Sequence, residues 1–415
     1  MMITTTRIYV RLFSRMKIST LVPVLLVLSL AFSCSNEDTT PDVPDEKVLV
    51  DATLVYSTSV AQIKALVQLA GINIDVNEFK HADDVYKVSY KTVYKTQTVT
   101  ASGLIALPKT SDELPMISFQ HGTITRDTDA PSNSNLSNPE SLVYACALSS
   151  SGFITTIPDY LGFGTSADLI HPYFVASLTA SAVVDILYAA RELAESKNVK
   201  FNSRLFLAGY SEGGYATMAT HKAIEETEPE GFDLIASFPG AGAYDLSAME
   251  EHLLGLQTYE DPYYLAYIGL AYQEAYDLPQ LLHDFFQEPY TSRIPSLFDH
   301  QKGPGEINAQ LTTTIPDLIT PDLSVHIATD PAYAYLKDAF MSNTLTEWAP
   351  QKPMFMYHGQ TDTTVPYENS VSTYNALIAN GASEETVKLI PLPGTHSSAI
   401  APYVADFITR LWTLR

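Results

Sequence analysis

Three polar side chains, far apart in the chain, have the types and the order needed for nucleophilic acyl transfer. The first lies in Gly209-Tyr210-Ser211-Glu212-Gly213-Gly214, between an apolar run and a helix-forming run. A serine on a sharp strand-to-helix turn is exposed at the helix N-terminus, where the dipole favours developing negative charge. A serine hydroxyl is a poor nucleophile until a base takes its proton. Pro393-Gly394-Thr395-His396-Ser397-Ser398 offers that base, His396, in the last loop before the last helix. His358-Gly359-Gln360-Thr361-Asp362 offers the acid, Asp362, a few residues beyond an apolar strand. The chain order serine, acid, histidine is one of the known orders for such a triad. Asp245 competes for the acid's role, and His358, at a strand end, reads as a packing or hydrogen-bonding residue. Turnover should fall in acid as His396 takes up a proton, because the neutral imidazole is the working base.

Attack on a carbonyl creates an oxyanion that needs fixed donors. The backbone N–H of Glu212 is one candidate. The other comes from His121-Gly122-Thr123, with Gly122 or Thr123 as the donor. The Glu212 side chain reads equally as a site group or as a helix-start acid favoured by the dipole. Tyr210, Asp159 and His171 lie where they should reach the same rim, and are expected to shape the substrate pocket.

These residues require a sheet to hold them. Alternating apolar positions at Val85, Val88, Tyr90 and Val93, then Val99, Leu104 and Ala106, predict two antiparallel strands. Further strands are expected at 115–120, 153–158, 204–208, 234–238, 353–357 and 387–391. Helices are expected at 59–70, 142–148, 177–196, after Ser211, at 369–379 and at 399–412. Such alternation predicts a mostly parallel central sheet flanked by helices. It breaks off at 247–350, a stretch rich in Tyr and Leu and too long for a loop, which reads as an inserted helical cap. Within it, helices are expected at 253–256, 263–276, 280–286 and 333–340. The core then comprises 49–246 and 351–415.

The N-terminus reads differently. Arg7, Arg11, Arg15 and Lys17 precede an apolar run from Leu21 to Phe32, too short to span a bilayer comfortably. Residues 1–33 read as a signal peptide, with Met16 an alternative start. Ser33-Cys34 resembles a bacterial lipoprotein cleavage site, and acylation of Cys34 would anchor the chain to a membrane through a flexible tether, 34–48. Ser35-Asn36-Glu37-Asp38 resembles the acidic export signal of Gram-negative surface lipoproteins, so an exported chain anchored at the outer membrane or cell surface is expected. The other cysteine, Cys146, is expected to be a small buried residue without a disulfide.

The 415 residues carry 24 Lys and Arg against 47 Asp and Glu, a net charge of −23. That balance repels nucleic acid and anionic substrates. No H-E-x-x-H pair occurs and two cysteines make no zinc cluster, so no metal and no other cofactor is expected. The expected partners are a small-molecule or lipid ester and the membrane that holds the anchor. Neither nucleic acid nor an obligate protein partner is expected.

Taken together, His121-Gly122-Thr123, PDYLGFG (158–164), GYSEGG (209–214), FPGAGAYDLS (238–247), HGQTDTTVP (358–366) and GTHSSA (394–399) resemble the secretory lipase family of α/β-hydrolases. The resemblance runs from about Val85 to the C-terminus. It implies an α/β-hydrolase fold with a helical cap, ester hydrolysis, and Ser211, Asp362 and His396 as the triad. Glu212 after the nucleophile and the lack of an evident disulfide depart from the family pattern. Two other functions compete. A prolyl-oligopeptidase-like peptidase shares the elbow and the triad order, but the stretch between Cys34 and Lys91 is too short for its β-propeller. A lipoprotein that only binds lipid or glycan would have no use for a triad.

Overall fold

Val88, Tyr90 and Thr92 are buried while Lys87, Ser89 and Lys91 between them are less so, and this alternation makes β2 (Asp83–Tyr94) a strand with one covered face. It pairs in register with β3 (Gln97–Pro108) as an antiparallel hairpin. The computed structural model describes residues 47–415 except 70, 72, 136 and 137. The signal peptide, Cys34 and most of the tether lie outside the described residues.

Ahead of the hairpin, β1 (Leu49–Thr58) adds an antiparallel edge strand that the sequence reading missed. Its apolar residues Val50, Leu54 and Val55 are exposed, so it lacks the alternation that marks a half-buried strand. The carboxylate of Glu192 anchors its start by accepting the backbone N–H groups of Val48 and Leu49 at 2.9 and 3.0 Å.

The strands that follow are largely buried, as parallel strands under helices must be, although the last of them, at the far edge of the sheet, is covered only in part. They are β4 (Glu113–Gln120), β5 (Ile154–Pro158), β6 (Lys200–Tyr210), β7 (Asp233–Gly240), β8 (Met354–Gly359) and β9 (Val387–Leu392). The sheet runs β1-β2-β3-β5-β4-β6-β7-β8-β9 and is parallel from β5 onward. Successive side chains of β6 point to opposite layers. Leu205 and Leu207 pack with Ala182, Ile186 and Leu193 of α3 (Ala176–Ser196). Phe206 and Ala208 pack with Cys146 of α2 (Glu140–Ser150) and Phe407 of α14 (Ile400–Leu414). The same layer takes Ile63 and Val67 of α1 (Val60–Leu69). Cys146 is fully buried, and burial pushes its thiol pKa up. On the α3 side lie α4 (Glu212–Thr227), which packs on α3 and β7, and α13 (Tyr367–Ala379), which packs on β8 and β9.

Between β7 and β8 the chain is helical: α5 (Leu246–Leu254), α6 (Tyr263–Ala275), α7 (Leu281–Phe285), α8 (Tyr290–Leu297), α9 (Pro304–Asn308), α10 (Ile315–Leu318), α11 (Pro321–His326) and α12 (Ala334–Asn343). The run α8 to α11 was not expected. Its helices are short and broken by Pro295, Pro304, Pro316 and Pro321, so they lack a sustained 3.6-residue repeat. The first helix begins at Leu246 rather than Leu253, because the Asp245 carboxylate caps it by accepting the N–H of Ala248 at 3.0 Å. Stacked rings fill this segment's core, with Tyr267 lying 4.6 Å from Tyr173 and 4.4 Å from Phe298. Among the described residues no helix is long and apolar enough to cross a membrane.

Candidate active site

The turn from β6 into α4 places Ser211 at φ 61° and ψ −124°, a conformation that strains any residue with a Cβ. The turn closes because Gly209 and Gly213 let the backbone approach the carbonyl of Gln120 on β4; a Cβ at either position would strike it. The Ser211 N–H donates to the Gly240 carbonyl at 2.8 Å, which fixes the elbow to β7.

The loops after β8 and β9 bring two further groups to this point. Ser211 Oγ lies 2.8 Å from His396 Nε2, and His396 Nδ1 lies 2.6 Å from Asp362 Oδ2. Tyr210 holds the histidine's loop, its hydroxyl donating to the His396 carbonyl at 2.8 Å. Asp362 is buried, and burial alone would push its pKa up. Hydrogen bonds from His358 and His396, together with the electrostatic pull of those two rings, outweigh that and lower it to about 2. The N–H groups of Thr364 and Val365 also donate to Oδ1 at 2.9 and 3.0 Å, so the carboxylate is held in one orientation. His358 is a hydrogen-bonding residue, bridging Ser370 Oγ at 2.6 Å and Asp362 Oδ2 at 3.1 Å. Asp245, the competing acid, is occupied as the cap of α5.

The loop after β4 runs alongside the elbow. A Cβ on Gly122 would lie 3.4 Å from the Tyr210 carbonyl oxygen and 3.8 Å from Ser211 Cβ. Thr123 Oγ1 shares a hydrogen bond of 2.9 Å with the Tyr173 hydroxyl. Glu212 occupies the first turn of α4, where its N–H is free of an intrahelical partner. Its side chain turns into the core, and Oε1 lies 2.7 Å from His171 Nε2.

An apolar cavity of about 30 Å³ adjoins Ser211. Its walls are Tyr173, Phe174 and Ala243 of the core, Leu246, Met249 and Leu253 of α5, Tyr259, then Tyr264, Leu265 and Ile268 of α6, with Thr364 and Val365. The three residues expected to shape the pocket are not among them, and that expectation is corrected. Asp159 is wholly buried, accepting Ser102 Oγ at 2.6 Å and the Ser132 N–H at 2.7 Å. Burial raises its pKa, against the lowering effect of those bonds. His171 is only 1% exposed and meets Glu212. Tyr210 faces His396 and Tyr403. Chain position suggested all three, but their polar atoms are taken up by protein partners. The residues that do line the cavity carry no chemical signature. The spacing of Leu246, Met249 and Leu253 marks one face of a helix and is the signal that could have found them.

The fold and family agree with this geometry. A protein of Legionella pneumophila, assigned provisionally as a hydrolase, is 26% identical and superposes with a TM-score of 0.77 over 88% of this chain and 98% of its own. The rice cell wall degrading esterase LipA from Xanthomonas oryzae is 24% identical, with a TM-score of 0.78 over 89% and 99%. Candida antarctica lipase A shares the fold at 15% identity, with a TM-score of 0.64 over 88% and 82%. No curated protein sequence matches the chain. The profile of the family described as secretory lipase matches residues 130–398, which include Ser211, Asp362 and His396. The chain therefore belongs to the secretory lipase family, whose members are exported carboxylic ester hydrolases of the α/β-hydrolase fold.

Proposed function

We propose that this hydrolase cleaves carboxylic esters through an acyl-enzyme on Ser211. His396 acts as base and then as acid, and Asp362 orients it. The observation that carries the reading is the chain of contacts from Ser211 Oγ to His396 Nε2 at 2.8 Å and from His396 Nδ1 to Asp362 Oδ2 at 2.6 Å. In the first step His396 Nε2 takes the hydroxyl proton as Oγ attacks the carbonyl carbon. The oxyanion forms toward the N–H groups of Glu212 and of Gly122 or Thr123. His396 then returns the proton to the departing alcohol. Water repeats the sequence to release the acid.

The helical segment acts as a cap, with α5 and α6 walling the acyl side. The cavity beside Ser211 is small and its walls are apolar, so short acyl chains fit it best. The test is a series of p-nitrophenyl esters from acetate to palmitate. Highest kcat/KM at two to four acyl carbons is expected; a steady rise with chain length would overturn the short-chain reading, and no ester cleavage at all would overturn the hydrolase mechanism. Dipeptidyl anilides should remain intact, which separates this reading from a peptidase.

Cys34, outside the described residues, is proposed as the acylated anchor of the exported chain at the outer membrane or cell surface. Palmitate labelling that is equal in the native chain and in Cys34→Ala would overturn it.

A further inference from the structure

The turn His171-Pro172-Tyr173 touches both arms of the proposed oxyanion site. His171 Nε2 lies 2.7 Å from Glu212 Oε1 on one arm, and the Tyr173 hydroxyl lies 2.9 Å from Thr123 Oγ1 on the other. We infer that this turn is a positioning clamp, in which the buried His171–Glu212 pair and the Tyr173–Thr123 bond together aim the oxyanion donors. The inference rests on the proposed acyl-enzyme mechanism and assigns a task to side chains that mechanism leaves unused.

The chemistry of the pair can be read from its partners. The Leu161 carbonyl, 2.7 Å from His171 Nδ1, can only accept, so Nδ1 carries a hydrogen. A neutral ring would then present the lone pair of Nε2 to a bare carboxylate at 2.7 Å, which is repulsive. A proton must therefore lie between Nε2 and Oε1, and the pair is neutral as a whole. Both side chains are almost wholly buried, at 1% and 4% exposure. The rings of Tyr160, Phe163, Tyr173 and Tyr267 surround the imidazole at 5.1–5.9 Å. Shielded from water, the pair is rigid and strongly directional.

Two consequences bear on catalysis. Glu212 is tied by its side chain, so the N–H that follows the nucleophile cannot drift. The shared proton also cancels a charge that would oppose an oxyanion forming at the same residue. Neither effect changes how tightly the ground-state ester binds, so its loss should appear in kcat rather than in KM.

The test compares the full-length protein with Glu212→Ala, Glu212→Gln and Tyr173→Phe. p-Nitrophenyl acetate reports turnover, and a short trifluoromethyl ketone reports affinity for a tetrahedral oxyanion. Glu212→Ala should lower kcat by about 10- to 100-fold with KM within about threefold, and weaken the ketone by a similar factor. Glu212→Gln should recover most of that loss, because its amide N–H can donate to a bare Nε2. Tyr173→Phe should lower kcat by about 3- to 10-fold, also without a matching change in KM. Native kcat and ketone affinity in folded Glu212→Ala and Tyr173→Phe would overturn the clamp. So would a Gln variant as impaired as the Ala variant. If Glu212→Ala does not fold, Tyr173→Phe decides alone. A native protein that cleaves no ester and is not labelled at Ser211 by a fluorophosphonate would instead mark failure of the mechanism.

Discussion

Among the described residues, two of the serine–histidine–acid chains differ in nearly everything except composition. In one, Ser211, His396 and Asp362 are joined by contacts of 2.8 and 2.6 Å. In the other, Ser237 Oγ lies 2.7 Å from His221 Nδ1, and His221 Nε2 lies 2.9 Å from Glu225 Oε1. Ser211 stands on a strained turn against a cavity, and its histidine is 13% exposed. Ser237 lies within β7, and both it and His221 are fully buried, with the Trp348 ring 5.3 Å from the imidazole. The ring nitrogens are also reversed, with Nδ1 toward the serine in the buried set. Glu225 has other work, accepting the N–H groups of Gln351 and Lys352 where the chain returns to the sheet. The lesson is that distance alone does not make a nucleophile. Access, a strained backbone and adjacent backbone donors separate a reactive serine from a structural one.

Mutation should separate the two sets sharply. Ser211→Ala should reduce kcat on order of 10⁴-fold or more while circular dichroism stays native. A fluorophosphonate should modify the peptide that holds Ser211 and never the one that holds Ser237; mass spectrometry of the adduct checks this. Asp362→Asn should cost about 10³-fold in kcat, because the imidazole loses the acceptor that fixes its tautomer. His221→Ala should leave kcat per folded molecule unchanged but lower stability by about 2–4 kcal/mol, read by urea unfolding, since it opens a cavity and strips Ser237 and Glu225 of a partner. Ser237→Ala should cost only about 1 kcal/mol with native activity. Equal activity losses in the two sets would erase the distinction drawn between them.

Acid should affect both sets in one direction. Asp362 is held below an unfolded aspartate, to about 2, and Glu225 is also lowered, since bonds from His221 and two backbone N–H groups outweigh its burial. A depressed carboxylate stabilises the fold above its unfolded pKa, and that contribution is lost as pH falls through the folded value. For Asp362 the window runs from about pH 4 down to about pH 2, and the contribution is on the order of 2 kcal/mol. Thermal unfolding of the native protein and of Asp362→Asn over this range should converge at the acid end.

Much of this was legible in the residues. Ser211, Asp362 and His396 stood out because each follows an apolar strand in an order the chemistry allows. Strands β2 to β9 were legible from alternation or from short buried runs. Strand β1 was not, because its apolar residues face solvent. The two candidate acids, Asp362 and Asp245, differ in where their side chains point: Asp362 meets His396, and Asp245 caps a helix. Chain position suggested Asp159, His171 and Tyr210 for the pocket, yet their polar atoms are spent on protein partners and none of the three lines the cavity. The side chain of Glu212 stayed ambiguous until His171, 41 residues away, was found against it. His221 and Glu225 share a helix face at i and i+4, but nothing local ties them to Ser237.

By itself the sequence determined which chemical groups exist, in what order, and on what kind of element each is carried. Those properties follow from periodicity, turn residues and caps, which act over a few positions. Only the tertiary structure decided which serine is strained and reachable, which acid meets the base, and how little room lies beside the nucleophile. These depend on packing between segments that are distant in the chain, where a burial or a contact is settled by every layer at once.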